Sequence, residues 1–139
     1  MAVAEYLADK SAWARLSQPA VHAELYPLIR RGLVATCGPV DLEILYSARN
    51  TADHDRIRTE RAWLEWLAVF DECWERAIEV HAKLAEKGLH RSVPMPDLLI
   101  AATAERHGVT VLHYDADFDV IAEVTGQLTR WVVPRGTAD

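Results

Sequence analysis

Three aspartates fall within five residues in "LHYDADFD": Asp115, Asp117 and Asp119. They follow an apolar run, Val109 to Tyr114, and precede a helical pattern. A carboxylate in a helix's first turn is favoured by the backbone dipole, by a few tenths to about 1 kcal/mol. Capping needs only one, however, and the spare like charges repel. Single acids hold comparable places elsewhere: Asp9 closes the opening apolar stretch, Glu43 lies in "DLEIL" after a second apolar run, and Asp97 precedes "LLIAATA". Taken alone, each of these three reads as an ordinary helix-start acid. Taken together, carboxylates meeting in one pocket cannot all stay ionised at neutral pH without compensation. A hard divalent cation is the simplest compensation, and Mg²⁺ takes one or two carboxylates directly while keeping several waters. Metals that prefer nitrogen or sulfur are not indicated. There is no "HExxH", and His90, His107 and His113 show no zinc-ligand spacing with a cysteine. These histidines are expected on the surface or satisfied by neighbours.

Whether the acids meet depends on the elements that carry them. Ala2–Ala8 reads as a first strand ending at Asp9, and "KSAWARL" opens a helical stretch that runs through "HAELYPLIRRG" to Gly32. Leu33–Thr36 is a second strand, with Gly38 and Pro39 marking a turn or a helix entrance. The helices "DLEILYSARN" and "TADHDRIRTERAWLEWLAVF" follow. Thr51 or Asp53 is the expected cap of the second, whose Trp63 and Trp66 would share one face of a packed helix pair. "AVFDEC" reads as a short strand and "WERAIEVHAKLAEKG" as an amphipathic helix stopped at Gly88. Pro96 suits the first position of the helix "PDLLIAATAERHG", which is apolar almost all round and therefore deeply packed. Strand "VTVLHY", helix "FDVIAEVTG" and strand "RWVVP" complete the chain.

Strands alternating with helices predict an α/β fold: three α/β/α layers around a central, mostly parallel sheet. Ligands of such sheets bind beyond the carboxyl ends of the strands, where strand order reverses. Asp9, Glu43, Asp97, Asp115 and Asp117 fall there.

The 139 residues are expected to form one domain spanning 1–139. A formal charge of −6 argues against broad, nonspecific binding of nucleic acid, without forbidding a local basic patch or a metal-mediated contact. Cys37 and Cys73 lie too far apart in sequence for a knuckle or a disulfide framework, which fits a reduced compartment. The opening "MAVAEYLADK" is not a secretory signal, and no apolar run approaches the roughly 20 residues of a membrane span. A cytoplasmic location and no membrane partner are expected. No "GxSxG" occurs, and neither cysteine has an activating neighbour, so any hydrolysis would use water.

"ADKSAW" around Asp9, "GPVDLEILYSAR" around Glu43 and "PDLLIAATAERHGVTVLHYDADFD" from Pro96 to Asp119, in that order and spacing, resemble the PIN-domain ribonucleases. Within that superfamily, chain size and the "DKSA" opening resemble the VapC-type toxins of bacterial VapBC toxin–antitoxin pairs. The resemblance covers nearly the whole chain and is most specific in its last segment. It implies a PIN-like doubly wound fold and an Mg²⁺-dependent endoribonuclease, with Mn²⁺ able to substitute. The matching catalytic positions are Asp9, Glu43, Asp97 and Asp115. The metal would be held by Asp9, Asp97 and Asp115, with Asp117 as an additional or alternative ligand, and Ser11 falls at the family's small hydroxyl position near the metal. His113 departs from the Thr or Ser that commonly precedes the acidic pair.

Such an enzyme would activate water to attack a phosphodiester in line, leaving 5′-phosphate and 3′-hydroxyl ends. A structured RNA loop, in transfer or ribosomal RNA, is the expected substrate, and its cleavage would restrain translation and growth. Arg30, Arg31, Arg49, Arg56, Arg58, Arg61 and Arg91 are the candidate backbone contacts. Most are better read as solvated or weakly paired; Arg91, just upstream of Asp97, is the preferred RNA-contacting residue. The resemblance further implies a homodimer and a cognate VapB-like antitoxin lodged in a groove near Trp63 and Trp66. Two alternatives keep the acidic cluster: a metal-dependent DNA nuclease or phosphatase, and a non-catalytic receiver-like module. The latter would need a lysine at the end of the last strand, which reads "RWVVPRG".

Overall fold

The computed structural model describes residues 2–139; Met1, the first residue of the expected unit, lies outside them. Five parallel strands, β1 (Tyr6–Ala8), β2 (Val34–Thr36), β3 (Glu65–Trp66), β4 (Thr110–His113) and β5 (Thr129–Trp131), form one sheet in the order β3-β2-β1-β4-β5. The chain works outward from β1 to β3 and then returns to lay β4 on the other side of β1, with Leu7 opposite Val111. Strand order therefore reverses between β1 and β4, and a crevice opens beyond their carboxyl ends.

Side chains alternate across each strand and divide the core into two. Leu7, Ala35 and Val111 face helices α3 (Gly38–Leu45), α5 (Asp71–Glu86), α6 (Met95–His107) and α7 (Asp117–Thr125). Ala8, Val34 and Leu112 face α1 (Lys10–Trp13), α2 (Pro19–Arg30) and the final residues around Val132 and Ala138. The expected three-layer α/β/α architecture is present, with a sheet that is parallel throughout. Helix α6 is buried along Asp97–Ala104, as its all-round apolar sequence predicts. Gly108 ends it in the left-handed conformation that a side chain would strain.

Several expected boundaries differ. β1 is three residues long rather than seven. The stretch from Lys10 to Gly32 divides into α1 and α2, because Gln18 is extended ahead of Pro19, which starts the second helix. Asn50, not Thr51 or Asp53, caps α4 (Thr51–Arg61), accepting the Asp53 N–H at 2.8 Å. That helix stops at Arg61 instead of continuing to residue 70. Glu65 and Trp66 then join the sheet edge beside Ala35 and Thr36, so the strand lies ahead of "AVFDEC" rather than within it. The Glu65 carboxylate accepts the Val3 and Ala4 N–H groups, anchoring this edge. Trp63 and Trp66 consequently share no helix face: Trp63 is 90 % exposed and Trp66 59 %. α5 and α7 begin earlier than their sequence patterns suggest, at Asp71 and Asp117, whose acids suit a first helical turn.

Candidate metal centre

The acids reach the crevice from four separate parts of the fold. Asp9 follows β1 directly, and its N–H donates to Leu112 O of β4 at 2.9 Å, which ties the two strand ends together. Its Oδ2 accepts from Ser11 N at 3.0 Å and from Ser11 Oγ at 2.7 Å. The same hydroxyl accepts from Tyr114 N at 2.9 Å, so Ser11 joins α1 to the exit of β4. Glu43 projects from α3, which starts two residues beyond β2. Asp97 lies in the first turn of α6, entered through "VPMP"; Pro94 is extended and Pro96 lies within the opening turn. Asp115 and Asp117 occupy the β4–α7 junction, where Asp115 Oδ1 accepts Asp117 N–H at 2.9 Å.

Two groups of three result. One oxygen from each of Asp9, Glu43 and Asp97 lies within 4.8 Å of the others, and the same holds for Asp97, Asp115 and Asp117. Asp97 belongs to both. Among the described residues, Glu43 Oε1 and Asp97 Oδ2 are buried without a hydrogen-bond partner. Buried carboxylate oxygens ordinarily find donors. These lack one because their neighbours are acids, which have no proton to offer when ionised.

The electrostatics follow from that crowding. Burial, then the charges of Asp9, Asp115, Asp117 and Glu43, push the Asp97 carboxyl up to about 8. Burial also raises Asp9, against the lowering effect of its Ser11 bonds. Glu43 rises through burial and the nearby Asp9, with Lys10 opposing, and Asp117 rises through burial and Asp115. Without a cation Asp97 holds at neutral pH a proton that it would shed in water. An all-oxygen donor set with two orphaned oxygens fits a hard divalent ion such as Mg²⁺ or Mn²⁺.

The remaining candidates separate. Asp119, third of the crowded aspartates, points elsewhere: both its oxygens accept Trp131 Nε1–H, at 3.2 and 3.1 Å. Arg91 sits exposed in the turn before α6, and among the described residues no hydrogen bond or ion pair ties it to the acids. Arg61 is not a solvated arginine. It is 8 % exposed, donates to Asp41 Oδ1 at 2.7 Å and to Thr36 Oγ1 at 3.0 Å, and lies over the Trp13 ring. His107 meets the expectation of a satisfied histidine, its Nε2 bonding Ala68 O. His113 does not. It is fully buried, burial pushes its imidazole down to about 4, and Nε2 has no partner, while Nδ1 accepts Asp115 N–H at 3.1 Å. In the sequence it was marked by standing where a Thr or Ser commonly precedes the acidic pair, near the end of a buried strand.

Comparison with known proteins agrees with this geometry. A family profile described as "PIN domain" matches residues 6–124. Ribonuclease VapC21 of Mycobacterium tuberculosis is 52 % identical over 134 residues, covering 96 % of this chain and 97 % of its own. Ribonuclease VapC51 of the same organism is 44 % identical over 135 residues, covering 97 % and 98 %. Among solved structures, DNA-bound VapBC from Salmonella typhimurium superimposes with a TM-score of 0.74 at 17 % identity, covering 94 % of this chain and all of that one, a likeness of fold.

Proposed function

The chain belongs to the PIN-domain family, in its VapC ribonuclease branch, and from that premise we propose that residues 1–139 act as one Mg²⁺-dependent endoribonuclease unit, the toxin of a toxin–antitoxin pair. The observation that carries this reading is the double group of acids sharing Asp97, with buried oxygens that no protein donor meets. Asp9, Glu43, Asp97 and Asp115 are assigned as catalytic residues, and Asp9, Asp97, Asp115 and Asp117 as metal ligands. A bound divalent cation would lower the pKa of water and steady the charge on phosphate oxygens.

The chain's own side chains supply the rest. Ser11 holds Asp9 by donating to Oδ2 and leaves the carboxylate's other oxygen for the pocket. Burial and the neighbouring acids hold a proton on Asp97, and the positive charge of a bound cation would favour its release. Asp97 belongs to both groups and is therefore assigned as the carboxylate common to them. Cleavage in line with the attacking water leaves 5′-phosphate and 3′-hydroxyl ends. Structured RNA loops, whose bases and backbone are splayed, are the assigned substrate class, and exposed Arg91 is kept as the candidate contact to the RNA backbone.

Two surface hollows are assigned to partners. A groove of about 740 Å³, lined by Leu42, Tyr46, Trp66, Trp74, Met95 and Leu99, is largely apolar and borders the acidic centre at Glu43. It is assigned to a second copy of this chain, since it offers large exposed hydrophobics and little charge for any other occupant. A hollow of about 470 Å³ combines Trp13, Ile44, Ile57 and Trp63 with Lys10, Glu60 and an Arg56 already paired with Asp53 and Glu60. It is assigned to an apolar antitoxin segment.

Purified protein incubated with transfer RNA, ribosomal RNA fragments and DNA of matched sequence, in Mg²⁺ or EDTA, tests the reading. Metal-dependent scission of RNA alone, with 5′-phosphate ends, is expected. Preferential cleavage of DNA, or RNA cleavage unaffected by EDTA, would overturn it.

A further inference from the structure

We propose that His113 is a positioning residue of the acidic centre: its Nδ1 accepts the Asp115 backbone N–H at 3.1 Å and thereby sets the loop from which Asp115 and Asp117 meet Asp97. The inference rests on the reading that these acids hold a divalent cation, and it extends to a residue outside the acid set.

The argument begins with backbone donors. β4 ends at His113, whose carbonyl is taken by Val132 N–H, and the sheet offers nothing to the N–H groups that follow. Side chains take them instead. Ser11 Oγ accepts from Tyr114 N, His113 Nδ1 from Asp115 N, and Asp115 Oδ1 from Asp117 N. The last two are successive i to i+2 bonds, so His113 orients the backbone of Asp115 and Asp115 in turn orients that of Asp117. Because a backbone N–H only donates, Nδ1 must carry a lone pair, with the ring proton on Nε2.

That proton has no acceptor. The ring is fully buried, its centroid 5.1 Å from Phe118 and 5.0 Å from Trp131, and Nε2 is unpartnered. A side chain present only to fill this space would be better apolar, since it would bury no orphaned donor. The polar function of the imidazole therefore lies at Nδ1. Asp119 acts one step further out: by holding the Trp131 indole through both oxygens, it fixes one wall of the ring's slot.

Two replacements separate the acceptor from the packing. Leu at 113 fills the slot without accepting. Asn loses the ring but presents an oxygen that reaches the N–H two residues on, as in an Asx turn. Mn²⁺ titration of metal-free protein by calorimetry should show His113→Leu weakened by about tenfold or more and His113→Asn held within about threefold of the parent. Melting in EDTA should rank them the other way, with Asn the less stable. Unchanged Mn²⁺ affinity in the Leu variant, or equal weakening in both, would overturn the proposal. Nitrogen NMR shifts of the unmodified ring decide independently of any variant's folding: an unprotonated Nδ1 is expected, and a protonated one is fatal. Unmodified protein that takes up no Mn²⁺ overturns the metal reading itself, an outcome distinct from a Leu variant that binds normally.

Discussion

Asp41 and Asp97 are both aspartates of a helix's first turn near a strand end, and they live in opposite electrostatic worlds. Asp41 receives Thr36 Oγ1 and Arg61 Nε, each at 2.7 Å, and Arg61 is itself steadied over Trp13. Asp53, one helix away, accepts Arg49 N–H and the Arg56 guanidinium, and these bonds hold its carboxyl down at about 2. Asp97 has acids for neighbours and a buried oxygen with no partner. Around α4 the chain completes its own charge pairs. Beyond the carboxyl ends of β1 and β4 it leaves a set of acids that, among the described residues, no arginine or lysine pairs. The difference teaches that acid content says little by itself: the informative feature is which carboxylates the fold declines to pair.

The contrast breaks most severely if Asp97 proves dispensable. Asp97→Asn should lower Mg²⁺-dependent RNA cleavage by about a thousandfold or more, equivalent to about 4 kcal/mol of transition-state stabilisation. Rates measured on a defined RNA substrate check this, and near-normal activity would return the acids to the status of helix-start residues. On the paired side, Arg61→Met leaves Asp41 facing a half-buried void of charge and should cost about 3 kcal/mol of stability. Urea unfolding measures it, with a loss under 1 kcal/mol contradicting the pairing argument.

Metal and pH sharpen the comparison further. Mg²⁺ at about a hundredfold above its dissociation constant should add about 2.7 kcal/mol to unfolding, by binding only the folded state. A melting temperature indifferent to millimolar Mg²⁺ would speak against a formed site. In EDTA, the folded chain keeps the Asp97 proton up to about pH 8, whereas the unfolded chain sheds it near the ordinary value of 3.8. The native state then binds more protons across that window, so stability should fall as pH rises through it and level off above. Saturating Mg²⁺ should flatten or invert the slope, and Asp97→Asn should remove most of it. Thermal melts across the window decide the sign.

Much of the fold was legible in the residues. Short apolar runs alternating with amphipathic stretches declared a parallel sheet, and "PDLLIAATA" declared its own burial. The misread segment, Ala62–Phe70, shows where such reading stops. Its indoles fit helical spacing, but Glu65 binds the Val3 and Ala4 N–H groups and draws the segment into the sheet edge, a contact across more than sixty residues that local pattern cannot register. Asp119 was left out of the site when Asp115 and Asp117 were kept, and Trp131 on β5, which donates to both Asp119 oxygens, supplies the physical reason.

The residue order by itself determined the element types, the three-layer α/β architecture and a short roster of acids at strand ends. Those depend on periodicity, turn residues and charge, which act over a few neighbours. Tertiary structure alone decided which acids meet, that Asp97 is shared, that Arg61 is spent on Asp41, and that His113 faces inward with one nitrogen engaged. Each of these requires distances between segments far apart in the chain, and such distances exist only once the sheet has brought the ends of β1, β2 and β4 to one edge.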